Sequence, residues 1–417
     1  MSEPKRRGFI NILQEFSIPL LSGVAVAMLW ANLDHDSYER VVEWVPLAGL
    51  EVFGHAVTLH WLVNDVFMVF FFGIAAKEIT ESCLPGGNLN PIKKSVNPLL
   101  ATLGGVMGPV CVFFIGMSLL YGPTDDLATL RRGWGIPTAT DIALAWLVAR
   151  AVFGKGHPAI DFLLLLAVVD DGIGLAIIAI FYGDPHLPAR PEFLPLIALG
   201  MAIAYAMRRA RVKSWIPYIA IGGPIAWLGL SLAHLHPALA LVFIVPFLPA
   251  PRRDVGLFID EDEVDVMGPE LARDLHITHS PLHQFEHQMK RFVDFGLFFF
   301  AFTNAGVVLA SIGTMTWLIL GSLVIGKTVG ITLFGLLASL LGFPLPDRMG
   351  VRELIMAGFV ASLGLTVALF VAGAAFTHPE LLGEAKMGSL FSGFVGIAAV
   401  LIGRALGMSR PRKPAPQ

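Results

Sequence analysis

Long apolar runs, separated by short polar segments rich in proline and glycine, dominate this chain of 417 residues. Many of these runs approach the ~20 residues that an α-helix needs to cross a bilayer. The pattern predicts an all-α membrane protein with about twelve transmembrane helices, of which the eighth is short and bounded by prolines. Their centres fall near Val24, Met68, Met107, Ala143, Asp170, Ile197, Ile225, Phe243, Phe300, Leu333, Leu363 and Phe394.

The composition agrees with a membrane protein, because 55% of the residues are hydrophobic and only 15% are charged. Soluble domains have about 45–50% apolar and about 25% charged residues. Two cysteines, Cys83 and Cys111, imply no disulfide framework. We expect the lipid bilayer as the surroundings of the chain, no nucleic acid partner and no cofactor.

Lysine and arginine are distributed unevenly over the segments between the runs. One side carries only Arg40, Arg131, Arg132, Arg190 and Lys386, whereas the other side carries most of the remaining basic residues. By the positive-inside rule, the basic side is cytoplasmic, and both termini lie there. An even number of spans is therefore required, which twelve satisfies.

This topology divides the chain into five segments. We predict a cytoplasmic N-terminus over residues 1–14, spans one to eight over 15–250, a cytoplasmic loop over 251–290, spans nine to twelve over 291–407, and a cytoplasmic tail over 408–417. An outside hairpin is predicted near 46–60, where strand-like residues flank Gly54 and His55, and an irregular amphipathic loop is the alternative.

The cytoplasmic loop carries the acidic run Asp260–Glu263, followed by His276, His279, His283 and His287. Histidines three and four residues apart could share a helix face and bind a metal or respond to pH. A solvated loop is favoured, since such spacing without a buried pocket is a weak metal signal.

Four ionisable residues fall inside predicted spans, namely Asp141, Asp170, Asp171 and Lys327. Asp170 and Lys327 each lie eleven residues into their spans, or ~17 Å deep, near the bilayer centre. Each such charge costs about 2.5–3.5 kcal/mol. An ion-pair network explains only one carboxylate, because a single lysine cannot neutralise three. Protons and a hard cation could balance the rest, and their competition for one site is the basis of exchange.

Two of the predicted spans contain backbone breakers. The stretch 133–138 places glycines and a proline inside the fourth span, and the stretch 361–366 interrupts the eleventh. Broken helices are tolerated where they line a polar cavity, and paired breaks in the two halves of a transporter indicate its binding site. An ordinary proline kink or a small-residue packing face is the alternative.

At these residues the sequence resembles the NhaA-type sodium/proton antiporters, a family whose fold contains inverted repeats. The likeness runs from about Gly23 to Leu406. It rests on Gly133–Ala143, Leu166–Asp171, Phe300–Val307, Ile325–Lys327, and Asn64-Asp65 with Glu78.

The resemblance implies an inverted-repeat fold in which spans 4 and 11 are discontinuous and cross each other. It implies that Asp170 and Asp171 bind Na⁺ and exchange protons, with Asp171 the more direct ligand, and that Thr140 lies beside them. Asp141 and Lys327 would offset the helix dipoles at the breaks, and Lys327 would pair with Asp170.

The resemblance also implies electrogenic exchange of Na⁺, and of Li⁺ where it is accepted, for H⁺. It implies location in the bacterial inner membrane and a homodimer joined through the outside hairpin. Glu78, Glu286 and His287 correspond to a cytoplasmic region tied to pH response in the family. The residues around them depart from the usual family pattern at 75–80 and 288–294, which leaves the pH profile open.

The same residues allow other functions. A sodium-coupled symporter of an organic anion is the main alternative, although no cluster of anion ligands is evident. An intramembrane aspartyl protease would give Lys327 no role, and a retinal pigment would not need about twelve spans. The sequence therefore predicts a secondary transporter and not an enzyme.

Overall fold

The computed structural model describes residues 17–408 except for 47–48, 50, 53–54, 86, 88, 90–91, 123–125, 184–187 and 251–279. The predicted N-terminal segment, the acidic run Asp260–Glu263, His276 and His279 lie outside the described residues, as does the tail after residue 408.

The described residues are predominantly helical. The helices are α1 (Ile18–Leu33), α2 (His35–Val42), α3 (Leu59–Ser82), α4 (Ile92–Leu120), α5 (Leu127–Thr138), α6 (Ile142–Phe153), α7 (Pro158–Phe181), α8 (Leu194–Arg209), α9 (Tyr218–Leu232), α10 (Pro237–Phe247), α11 (Pro281–Asn304), α12 (Thr314–Leu340), α13 (Val351–Ala361), α14 (Leu365–Ala375) and α15 (Pro379–Ala405). One short antiparallel hairpin pairs β1 (Glu51–Val52) with β2 (His55–Ala56), inside the predicted hairpin segment.

Five helices in the described part of the chain are long and apolar enough to cross a membrane, namely α3, α4, α7, α12 and α15. The pairs α5–α6 and α13–α14 each pass the same test together and are bent by 48° at a short break, which raises the number to seven. The chain is therefore a multi-pass helical membrane protein. Helices α1, α9 and α10 are apolar but shorter, so the count of twelve spans stays a prediction.

The predicted centres fall where the structure has helices, with one exception. Leu363 lies in the break between α13 and α14, because the helix ends at Ala361 and resumes at Leu365. The proline-bounded eighth segment forms α10, in which a short α-helix is flanked by 3₁₀ turns at Pro237–Leu239 and Val245–Phe247. Proline fixes φ and lacks an N–H, which limits the helix at both ends.

The chain forms two compact units. The first comprises Met1–His35, Val96–Gly174 and Asn304–Gln417, and the second comprises Asp36–Ser95 and Leu175–Thr303. In the second unit, Gly73 of α3 packs against Leu241 and Phe285. The indole N–H of Trp227 donates to the backbone oxygen of Asp65 at 2.9 Å.

In the first unit, α4 and α12 cross at backbone contact. A Cβ added to Gly330 would lie 2.0 Å from the carbonyl oxygen of Gly104, and one added to Gly108 would lie 2.2 Å from that of Gly326. Only glycine permits so close an approach, as in small-residue helix crossings within membranes. This crossing lies directly beside Lys327, which follows Gly326 and a π-helical turn over Ser322–Gly326.

Candidate ion-binding site

The two broken helices of the first unit, α5–α6 and α13–α14, contact each other at their breaks. Helix α5 ends at Thr138 in a 3₁₀ segment that contains Pro137, and the chain is non-helical until α6 begins at Ile142. The backbone N–H of Asp141 donates to the carbonyl oxygen of Leu363 at 2.6 Å, so one break hydrogen-bonds the other. The predicted stretches 133–138 and 361–366 therefore flank a single place in the fold.

Asp141 caps the start of α6. One carboxylate oxygen accepts the N–H of Leu144 at 3.1 Å, and the other accepts the hydroxyl of Thr366 at 2.8 Å. The residue is only 5% exposed. A negative charge at a helix N-terminus is stabilised by the unpaired N–H groups and the positive end of the dipole.

Lys327, Asp170 and Thr140 form a buried cluster next to this crossing. The Lys327 Nζ lies 2.6 Å from Asp170 Oδ2 and 2.7 Å from Thr140 Oγ1. The Thr140 hydroxyl in turn donates to the carbonyl oxygen of Ala361 at 2.8 Å, at the end of α13. The side chains of Lys327 and Asp170 are fully buried. Such a pair is tolerated because each charge compensates the other.

One oxygen of the Asp170 carboxylate is left outside the contact with Lys327. Asp170 Oδ1 is buried and has no hydrogen-bond partner among the described residues. Asp171 follows directly on α7 and is half-buried. The two adjacent carboxylates can bind either protons or a hard cation. The free energy of binding depends on how strongly the Lys327 ammonium is paired with Asp170.

The predicted pH-response residues fall in the second unit, where only some of them meet. The carboxylate of Glu286 forms an ion pair with Lys77, whose Nζ also lies 2.6 Å from Glu81 Oε2. Glu78 is half-buried one residue further along α3, and His287 is exposed. Lys77 and Glu81 were not among the residues singled out from the sequence.

The sequence pattern alone does not reveal the partners of Asp141 either. Thr366 lies in the predicted interruption, but its spacing does not reveal that it donates to a carboxylate 225 positions away. Ser392 of α15 accepts the N–H of Gly364 at 3.2 Å and so supports the second break. A serine or threonine beside a predicted helix break could indicate a hydrogen-bond partner for the broken segment. The signal is weak, because serine and threonine are common in apolar helices.

Several apolar helices, two of them broken around a buried carboxylate and lysine, define a multi-span membrane protein of the kind that carries small ions. The family model described as Na⁺/H⁺ antiporter 1 matches residues 7–405. This chain belongs to that family.

Curated relatives agree over nearly the whole chain. A Na(+)/H(+) antiporter NhaA of Geobacter sulfurreducens is 56% identical over 401 residues, which cover 96% of this chain and 98% of the relative. The NhaA of Geobacter metallireducens shows the same identity and coverage. That of Desulfitobacterium hafniense is 55% identical over 402 residues, which cover 96% and 97%. All three bear antiporter names, so the symporter alternative has no support.

Proposed function

We propose that this protein exchanges Na⁺ for H⁺ across the bacterial inner membrane by competition of the two ions for Asp170 and Asp171. The observation that carries the proposal is the buried Lys327–Asp170 pair at 2.6 Å, placed where two helices break. If the Lys327–Asp170 pair were only structural, a second carboxylate, that of Asp171, would not be needed beside it. Family membership supports the same pair of ions.

In this mechanism, Na⁺ binds to carboxylate oxygens of Asp171 and Asp170, with Thr140 beside them. A cation that takes Asp170 Oδ2 competes with the Lys327 ammonium, because two positive charges at one buried carboxylate oxygen repel each other. Protonation of the carboxylates releases the cation, since a neutral carboxyl is a poor ligand for a hard ion. The proton steps belong to the coupled cluster and not to one aspartate.

Asp141 and Lys327 have supporting roles in the proposal. Asp141 offsets the positive N-terminal end of α6, which its N-cap hydrogen bond to Leu144 supports. Lys327 lies beside the end of α13, because its Nζ contacts Thr140, whose hydroxyl donates to the carbonyl oxygen of Ala361. A positive charge is favourable near the C-terminal end of a helix. If the site formed by Asp170 and Asp171 opens alternately to the two sides of the membrane, it would move the two ions in opposite directions.

The finer architecture is also proposed. Twelve spans with both termini cytoplasmic fit the lysine and arginine distribution, and spans three to five and ten to twelve would be the inverted repeats. The β1–β2 hairpin would join two copies of the chain into a dimer. Glu78, Glu286 and His287 would set the pH response, and exchange would be electrogenic.

Exchange can be tested directly in proteoliposomes that contain a pH gradient and no organic substrate. Addition of Na⁺ to the parent protein should collapse the gradient, and Asp171→Asn, which keeps the size but removes the negative charge, should abolish the effect. Asp161→Asn is a matched control, because Asp161 is an exposed aspartate on the same helix. Full exchange by a folded Asp171→Asn protein would refute the site. The same assay with Li⁺ or K⁺ defines the accepted cations.

A further inference from the structure

A second group of cation ligands lies within the second unit, where the end of α3 meets the start of α11. A carboxylate oxygen of Glu81, a ring nitrogen of His283 and a carboxylate oxygen of Glu286 lie within 4.8 Å of one another. Glu81 is 7% exposed, and the other two residues are half-buried. The ammonium of Lys77 contacts both carboxylates.

We propose that Glu81, His283 and Glu286 form a binding site for a divalent transition-metal ion such as Zn²⁺, which replaces the Lys77 ammonium. Imidazole nitrogen and carboxylate oxygen are both ligands of Zn²⁺, and some zinc sites combine three protein ligands with an open fourth position. The imidazole also distinguishes the site from one for Na⁺, Mg²⁺ or Ca²⁺, which prefer oxygen ligands alone.

Charge balance favours a divalent ion over the lysine. Lys77 supplies one positive charge to the two carboxylates of Glu81 and Glu286, so the trio retains one excess negative charge. Glu78 and Lys290, which have opposite formal charges, also interact with these groups. A divalent ion would neutralise both carboxylates at once. Lysine carries its charge on a flexible stem of four carbons, which allows the ammonium to withdraw.

An ion pair alone does not account for His283. Its Nδ1 lies 4.0 Å from Glu286 Oε2, which is too far for a hydrogen bond. A metal ion placed among the three ligands would coordinate this nitrogen directly. His283 and Glu286 are three residues apart in the first turns of α11, so they share one face of the helix.

The geometry has a structural consequence. Glu81 lies in the last turn of α3, whereas His283 and Glu286 lie near the start of α11. A bound metal would therefore clamp two helices that meet at these residues. Ligands that bind only the folded state raise its stability, so the clamp should be detected as a higher melting temperature.

Titration of the purified full-length protein with ZnCl₂ tests the site by calorimetry and thermal melting. We expect one Zn²⁺ to bind per chain, to raise the melting temperature, and to do so at concentrations at which MgCl₂ has no effect. His283→Ala and Glu81→Gln should each weaken Zn²⁺ binding at least about tenfold, because even residues behind the ligands contribute 10–100-fold to metal affinity. His287→Ala is the matched control, since His287 is exposed on the same helix, and its Zn²⁺ affinity should equal that of the parent.

Substitution of Lys77, whose ammonium competes with Zn²⁺ for the carboxylates, is an independent test. Lys77→Met should tighten Zn²⁺ binding by about tenfold or more, because it removes a positive charge from among the ligands. Parent-like Zn²⁺ affinity in folded His283→Ala protein would place the metal elsewhere and overturn the proposal. So would the absence of Zn²⁺ binding by the parent, or a folded Lys77→Met protein that binds Zn²⁺ more weakly. If Lys77→Met does not fold, the comparison of His283→Ala with His287→Ala decides the matter.

Discussion

The pair formed by Lys327 and Asp170 leaves neither charge in contact with solvent. Removing one partner of such a pair leaves an uncompensated buried charge, which costs about 3–5 kcal/mol in proteins. We therefore expect Asp170→Asn to lower the melting temperature of the purified protein markedly, because it leaves the lysine ammonium without its carboxylate.

Asp161→Asn is the control for this measurement, since exposed substitutions usually change stability by less than about 0.5 kcal/mol. Equal melting temperatures for Asp170→Asn and Asp161→Asn would show that Lys327 does not depend on Asp170. A second substitution, Lys327→Ala in the Asp170→Asn background, should recover part of the loss, because it removes the orphaned ammonium.

The hydroxyl of Thr366 is the other single contact that can be tested. It donates to Asp141 at 2.8 Å inside the crossing, and hydrogen bonds to charged groups contribute about 1.5–3 kcal/mol. Thr366→Val keeps the shape and removes the donor, so it should destabilise the protein, whereas Thr366→Ser should retain most of the stability. Thermal melting of the two variants side by side decides this, and a valine variant as stable as the serine variant would contradict it.

At the scale of elements, the crossing of α4 and α12 determines where Lys327 lies. Gly326 precedes the lysine, and Gly330 follows it by three residues on the same helix, and both contact the backbone of α4. A helix held at this distance by main-chain atoms cannot relax by moving a side chain. The position of the ammonium therefore depends on two glycines that touch neither Asp170 nor an ion.

Gly330→Ala tests this dependence. The added Cβ would lie 2.0 Å from the Gly104 carbonyl oxygen, so α12 must move and the Lys327–Asp170 contact should be lost or lengthened. We expect the apparent Na⁺ affinity of exchange and its pH profile to change, not only the stability. Gly321→Ala, on the same helix with nothing within 4 Å of the added carbon, should behave as the parent does. An unaltered pH profile in Gly330→Ala would rule out the positioning role.

The sequence predicts the two helix breaks only in part. The proline and glycines at 133–138 predicted the first break, and the structure has it between Thr138 and Ile142. The second break, after Ala361, has no proline and depends on Gly364. A Cβ added to Gly364 would lie 2.9 Å from the carbonyl oxygen of Ala139, so a tertiary contact and not a local preference requires glycine there.

For the whole molecule, competition between the two ions has a direct consequence. If Na⁺ and H⁺ share the carboxylates of Asp170 and Asp171, apparent Na⁺ affinity must weaken as the pH falls, since protonated carboxyls are neutral. Exchange rates measured in proteoliposomes over a series of Na⁺ concentrations and pH values give this dependence. An apparent Na⁺ affinity that does not change with pH would exclude competition for one site.

The orientation of the chain is a second property of the whole molecule. In a background with Cys83→Ser and Cys111→Ser, single cysteines placed at Lys155 and Arg190 should differ in reaction with an impermeant reagent. Arg190→Cys should be labelled from outside intact cells and Lys155→Cys should not, because the basic side of the chain is predicted to be cytoplasmic. Strong labelling at Lys155→Cys from outside would reverse the topology.

The sequence by itself determined the membrane class, the approximate centres of the helices and the four charges placed within them. These properties depend on local hydrophobicity and on single residues that are costly in a bilayer, so they can be read without knowing any contact. The resemblance to a known family added the pairing of Lys327 with Asp170, which local pattern alone left open among three aspartates.

The tertiary structure shows the Lys327–Asp170 pair and decided the contacts that neither the sequence pattern nor the resemblance supplied. Lys327 and Asp170 are 157 positions apart, and the threonine that donates to Asp141 is 225 positions away. The trio of Glu81, His283 and Glu286 likewise joins the end of one helix to the start of another. Contacts over such separations depend on how helices pack, and packing is set here by glycines, broken backbone and buried hydroxyls acting together rather than by any one segment of sequence.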